Sequence, residues 1–176
     1  PLLALALLLA APARAQIKIA YIDPMTGPFA NVGEQGLYHF QLAIDRVNAA
    51  GGVLGGQKLQ VVSLDNKGSP QESLVVLQAA IDQGIRFVTQ GNGSGVAHAL
   101  VEAVNKHNQR DPDRSVLYLN YAAVDPELTG GKCSFWHFRF DANIVFALDG
   151  VEVEEAYATT LDLPANLQLR AGQLLT

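Results

Sequence analysis

Two hydrophobic periods alternate along this chain, and each change of period marks a change of element. Ile17-Lys18-Ile19-Ala20-Tyr21-Ile22 is β-rich and runs into a Pro/Gly loop, Asp23 to Gly36. Leu37, Phe40, Ile44 and Val47 then recur at helical spacing until Gly51-Gly52. Leu59 to Leu64 reads as a second strand. Ser69-Pro70-Gln71-Glu72 has the form of a capping box with Pro at the first helical position, and Leu74, Leu77 and Ile81 supply the inner face of the helix it starts. Gly84 ends that helix and Ile85 to Thr89 is the third strand. After the turn Gly91-Asn92-Gly93-Ser94-Gly95, the residues Ala97, Leu100, Val101 and Val104 mark a third helix. A polar loop, Asn108 to Arg114, leads to a fourth strand, Ser115 to Asn120, and Ser134 to Phe140 predicts a fifth. Strands separated by helices become parallel neighbours through crossovers, so this order predicts an α/β fold: a doubly wound, mainly parallel sheet with helices on both faces.

The amino end is of another kind. Pro1 to Ala11 is apolar and uncharged, and Pro12-Ala13-Arg14-Ala15 places small residues at Ala13 and Ala15. An apolar run before an A-x-A site predicts a secretory signal peptide over residues 1–15, with cleavage between Ala15 and Gln16. The run is too short to span a bilayer, which takes roughly 20 apolar residues. The basic n-region is missing, which implies that the sequence starts inside the signal. No Cys follows the cleavage site, so a lipid anchor there is not indicated. The chain is expected to be exported, with no membrane insertion after cleavage.

Charge and residue chemistry narrow the partners. The formal net charge is -5 and no basic stripe exists, so nucleic acid is not expected. Cys133 is the one cysteine, which excludes an internal disulfide. His39, His98, His107 and His137 are scattered, and no Cys/His group has zinc spacing, so neither a metal nor a cofactor is expected.

Ligands of open parallel sheets sit beyond the carboxyl ends of the strands, near the point where strand order reverses. Three loops qualify: Asp23 to Gln35, Gly91 to Gly95, and Tyr121 to Glu127. The second is the most informative. Its glycines allow close backbone approach, and the helix that starts there offers unpaired N–H groups and a positive dipole end to an anion such as a carboxylate. Ser94 adds a hydroxyl. A turn that merely caps the helix would look the same. A dinucleotide site is rejected, because Val96 occupies the third glycine of G-x-G-x-x-G and the motif follows the third strand, not the first.

Catalytic machinery is sparse. There is no G-x-S-x-G elbow. Ser94 and His98 share helical spacing, which keeps open an exported hydrolase on a flavodoxin-like sheet as an alternative. Asp23, Asp65 and Glu34 have no spacing that argues for paired carboxylates, and Asp65 is expected to bind loop backbone. Tyr21, Phe29 and Trp136 would either line a pocket or belong to the core.

Three blocks then carry a resemblance: IKIAYIDPMTGPFANVGEQG; AIDRVNAAGGVLGGQKLQVVSLDNKGSPQESLVVLQAAIDQGIRFVTQGNGSG; and LYLNYAAVDPELTGGKCSFWHFR. Residues 17 to about 143 resemble the type I periplasmic substrate-binding proteins of ABC transporters, closest to the branched-chain amino-acid (leucine/isoleucine/valine) binding group. The resemblance implies two α/β lobes closing on a small ligand without chemical reaction, and permease subunits as partners. It assigns residues 16–143 to the amino-terminal lobe. It implies that the ligand's carboxylate meets the turn after the third strand, Gly93, Ser94 and Gly95, and the loop after the fourth, Ala122, Ala123 and Val124. Ser94 would donate its hydroxyl and Ala122 its backbone groups. A ligand-sensing receptor ectodomain of the same fold is a further alternative.

The chain departs from that family in places. Val124 stands where leucine-binding members have Thr, and losing a donor to a charged group costs roughly 1.5–3 kcal/mol. Val32 stands near an expected aromatic residue, and Gly93 replaces a Cys. These departures widen the expected ligands from leucine to related carboxylates and amides. Residues 144–176 match nothing in the family's second lobe and are read as an unassigned tail, from a frameshift, an internal deletion or a truncation. The fold is therefore expected to be incomplete, with the second lobe missing.

Overall fold

The computed structural model describes residues 16–141, 143–147 and 150–155. The expected signal peptide lies outside them. β1 (Ile17–Asp23), α1 (Ala30–Ala49), β2 (Leu59–Asp65), α2 (Pro70–Asp82), β3 (Phe87–Gln90), α3 (Ser94–Arg110), β4 (Leu117–Asn120) and β5 (His137–Arg139) follow one another in the expected alternation. Short 3-10 turns, Pro112–Arg114 and Pro126–Leu128, flank β4. The five strands form one sheet in the order β2-β1-β3-β4-β5, and every pair is parallel. β6 (Asn143–Ala147) and β7 (Gly150–Glu155) pair antiparallel as a separate two-stranded sheet.

Strand alternation sorts the side chains into two faces. Ala20, Ile22, Val88 and Tyr118 join Leu77, Ile81, Ala97, Leu100, Val101 and Val104 in one buried cluster, so α2 and α3 cover that face. The opposite face carries Tyr21, whose ring meets Phe40 of α1 at 5.4 Å. On that same face, Phe87 pairs in register with Ile19, and it remains partly open to solvent. Helices on both faces make the sheet doubly wound.

Two boundaries differ from expectation, each for a packing reason. α1 begins at Ala30 and takes in Gly33 and Gly36, which look like loop glycines in the sequence. They serve close contact instead: a Cβ on Gly36 would lie 2.2 Å from the Tyr21 hydroxyl. α3 runs on to Arg110 through the polar residues read as a loop. Asn108 explains this, because its side chain donates to the Val116 carbonyl at 2.9 Å and accepts from the Val116 N–H at 2.8 Å. A polar helical residue thus fixes the start of β4. At the amino end of α2, the Ser69 hydroxyl accepts the Glu72 N–H, as the capping pattern predicts.

Candidate functional site

The chain adds β2 on one side of β1 and then crosses back to place β3 on the other, so strand order reverses between β1 and β3. Asp23 closes β1 there, and it is fully buried. Its carboxylate accepts the Gly91 N–H at 3.2 Å, the Asn92 N–H at 2.9 Å and the Tyr121 hydroxyl at 2.7 Å. The Tyr121 oxygen in turn accepts from the Asn92 side chain at 3.3 Å and lies 2.8 Å from the Tyr21 hydroxyl. Tyr21 also donates to the Gly33 carbonyl at 2.9 Å. One network therefore joins all three loops singled out in the sequence.

Burial pushes the Asp23 carboxyl above its usual range, and the Tyr121, Asn92 and Gly91 donors pull it back down. Burial and the adjacent Asp23 raise the Tyr121 hydroxyl, and burial chiefly raises Tyr21, so both remain protonated donors. Gly91 has to lack a side chain, since a Cβ would lie 2.5 Å from Cζ of Tyr121. On its far side the turn is held by Gln90, whose amide donates to the Asn92 carbonyl at 2.7 Å while its oxygen accepts from Tyr118.

Gly93 is the residue before α3 and has φ 94°, a left-handed-side conformation that suits glycine. Its carbonyl accepts the Val96 and Ala97 N–H groups, each at 3.1 Å. Among the described residues no hydrogen bond uses the N–H of Gly93, Ser94 or Gly95. Ser94 is half-buried, between exposed Gly93 and Gly95. The first turn of a 17-residue helix thus opens beyond the strand ends, with free donors and a positive dipole end.

The loop after β4 is organised by Asn120. Its side-chain oxygen accepts the N–H groups of Ala122 at 3.1 Å and Ala123 at 2.7 Å, and its amide donates to the Ala123 carbonyl at 2.8 Å. Ala122 therefore has its carbonyl, not its N–H, available for other partners. Ala123 is buried and Val124 is exposed. His98 turns its Nε2 to Asp125 at 2.9 Å, tying α3 to this loop. That hydrogen bond holds the Asp125 carboxyl below its usual range. Among the described residues no hydrogen bond joins Ser94 to His98, whose Nε2 is engaged by Asp125.

The remaining sequence candidates lie elsewhere. Asp65 binds loop backbone as expected, accepting Met25 N–H at 2.9 Å, Lys67 N–H at 2.8 Å and the Thr26 hydroxyl at 2.6 Å. Glu34 lines a shallow groove between α1 and β2 with Tyr38 and Val61. Phe29 is exposed, Trp136 packs against the core, and Tyr21 is wholly inside. Sequence reasoning missed Asn92, Asn120 and Tyr121, the partner of Tyr21. No local signal set them apart from other polar residues near strand ends.

The periplasmic binding protein family model matches residues 16–144. The chain belongs to that family. A Leu/Ile/Val-binding protein homolog 4 from Brucella abortus (strain 2308) is 40% identical over 141 residues, covering 80% of this chain and 34% of the relative. Among solved structures, a leucine-, isoleucine-, valine-, threonine- and alanine-binding protein from Brucella ovis in a closed conformation is 38% identical, with TM-score 0.67 over 72% of this chain and 32% of that one. A branched-chain amino acid transporter substrate-binding protein from Streptococcus pneumoniae, in complex with isoleucine, is 26% identical, with TM-score 0.57 over 71% of this chain and 33% of that one. The chain spans about a third of the length of the family members it matches.

Proposed function

We propose that this chain is the amino-terminal lobe of a periplasmic solute-binding component of an ABC transporter. It binds a branched-chain amino acid, or a related small carboxylate or amide, without covalent chemistry. In the whole protein a second lobe closes on the other side, and the permease subunits read the closed state. The observation that carries this reading is the amino end of α3, where the N–H groups of Gly93, Ser94 and Gly95 stand unpaired at the switch point. A ligand carboxylate there gains charge-assisted hydrogen bonds, which are stronger than neutral ones. The Ser94 hydroxyl adds a donor, and the Ala122 carbonyl supplies an acceptor for an ammonium or amide group. Val124 adds apolar surface and no donor.

One lobe buries one side of a ligand, so the 176-residue chain is expected to bind in the range of ~1 mM or weaker. Titration with leucine, isoleucine and valine, followed by amide resonances, tests this. Shifts should centre on Gly93, Ser94 and Gly95 and weaken in Ser94→Ala. Sub-micromolar affinity in this chain, or shifts confined to other loops, would overturn it.

A further inference from the structure

We propose that Asp23 is the positioning residue of the ligand-binding turn, its carboxylate bridging the ends of β1, β3 and β4 so that the unpaired N–H groups of Gly93, Ser94 and Gly95 are held in one geometry. This rests on the reading of that turn given above. Asp23 has no solvent exposure, so it acts through the turn and not on the ligand. Its three donors come from two loops: Gly91 and Asn92 after β3, and Tyr121 after β4. Asn92 is gripped a second and a third time, through its side chain by Tyr121 and through its carbonyl by Gln90.

Each peptide unit is planar, so fixing the Gly91 and Asn92 planes leaves only a few dihedrals before the donors that follow. Glycines at 91, 93 and 95 would otherwise make the segment floppy, and ordering it would fall to the ligand. A carboxylate is the group this place requires. It accepts at both oxygens, whereas an amide has one acceptor oxygen and would set an NH2 against a donor. Asp23 Oδ1 meets Asn92 while Oδ2 meets Gly91 and Tyr121, so no orientation of an Asn satisfies both sides.

The test compares Asp23→Asn and Tyr121→Phe with the unsubstituted chain by amide hydrogen exchange and proton shifts. Asp23→Asn should raise exchange at Gly91 and Asn92 by roughly tenfold or more, with smaller effects at Val88 and Tyr118 in the core. Tyr121→Phe, which removes one donor and adds no polar group, should move the same two resonances less. Asp65→Asn should leave them in place. In the protein as its gene encodes it, Asp23→Asn should then weaken leucine, isoleucine or valine binding by roughly tenfold. The melting temperature should fall, but the variant should remain folded at the assay temperature, so unfolding does not account for that loss.

Unmoved Gly91 and Asn92 amides in both variants would overturn the proposal. So would mobilised amides with unchanged affinity, and so would exchange raised uniformly across the sheet. If Asp23→Asn does not fold, Tyr121→Phe decides by the same two amides. If the unsubstituted protein binds neither the three amino acids nor a related small carboxylate or amide, the functional reading fails while the exchange measurement still decides whether Asp23 holds the turn.

Discussion

Asp23 and Asp65 end neighbouring strands, at paired positions of one parallel register. Each accepts two backbone N–H groups and one hydroxyl. Yet burial pushes the carboxyl of Asp23 up, while at Asp65 the donors Thr26, Met25 and Lys67 outweigh the opposing effect of burial and pull the carboxyl down. The cause is place in the sheet. β1 is flanked on both sides, and its end is roofed by loops after β3 and β4; β2 is an edge strand whose end meets water. Equal hydrogen bonding therefore gives a clamp at one strand end and a loop staple at the other.

The sharpest way to break the comparison is truncation. Asp23→Ala strands the Gly91 and Asn92 N–H groups and the Tyr121 hydroxyl, and each buried orphan costs about 1–3 kcal/mol. A loss of about 3 kcal/mol or more in denaturant unfolding is expected, or failure to fold. Gly91→Ala should follow at about 1–3 kcal/mol, because the new Cβ drives Tyr121 off Asp23. Its mark is a loss of stability coupled to that of Tyr121→Phe in a double-mutant cycle. Asp65→Ala should cost about 1 kcal/mol, since water replaces the carboxylate for partly exposed donors. Equal losses at Asp23 and Asp65 would erase the difference between the two strand ends.

The smallest effect differs in sign. Asp65 has a folded pKa below its unfolded value, so its contribution is present above that value and is lost as pH falls through the folded pKa. Asp23 has a folded pKa above its unfolded value, so its contribution is full below the unfolded value and is lost as pH rises through the folded one. Asp65→Asn should flatten the acid limb of the stability curve below about pH 4, whereas Asp23→Asn should not. His137 adds a separate acid effect. Burial lowers its pKa to about 4, so stability should decline as pH falls from about 6.5 toward that value. His137→Gln should remove that decline.

Most of the fold was legible because its signals are local. Ser69-Pro70-Gln71-Glu72 capped α2 as written, Gly84 follows its end, and the strands sit within two or three residues of their apolar runs. The misread places are those where a distant partner overrides local chemistry. Gly33 resembles a loop residue until the Pro24 carbonyl is seen against the helix, Gly36 until the Tyr21 hydroxyl is, and Asn108 until Val116 is seen beside it. The Gly93-Ser94-Gly95 turn could be picked from composition and its place after a strand. Asn120, by contrast, could not be distinguished from any polar residue ending a strand.

The sequence alone determined the α/β alternation, the loops that face the switch point and the helix start that offers free donors. Those follow from periodicity, glycine and capping chemistry within a few residues. Tertiary structure alone decided that Asp23, Tyr121 and Asn92 meet, since residues 69 and 98 positions away from Asp23 in the chain converge only once β1 lies between β2 and β3. The same sheet order made Asp23 a buried acceptor and left Asp65 at a wet edge, because desolvation is a property of the assembled neighbourhood and not of the residue.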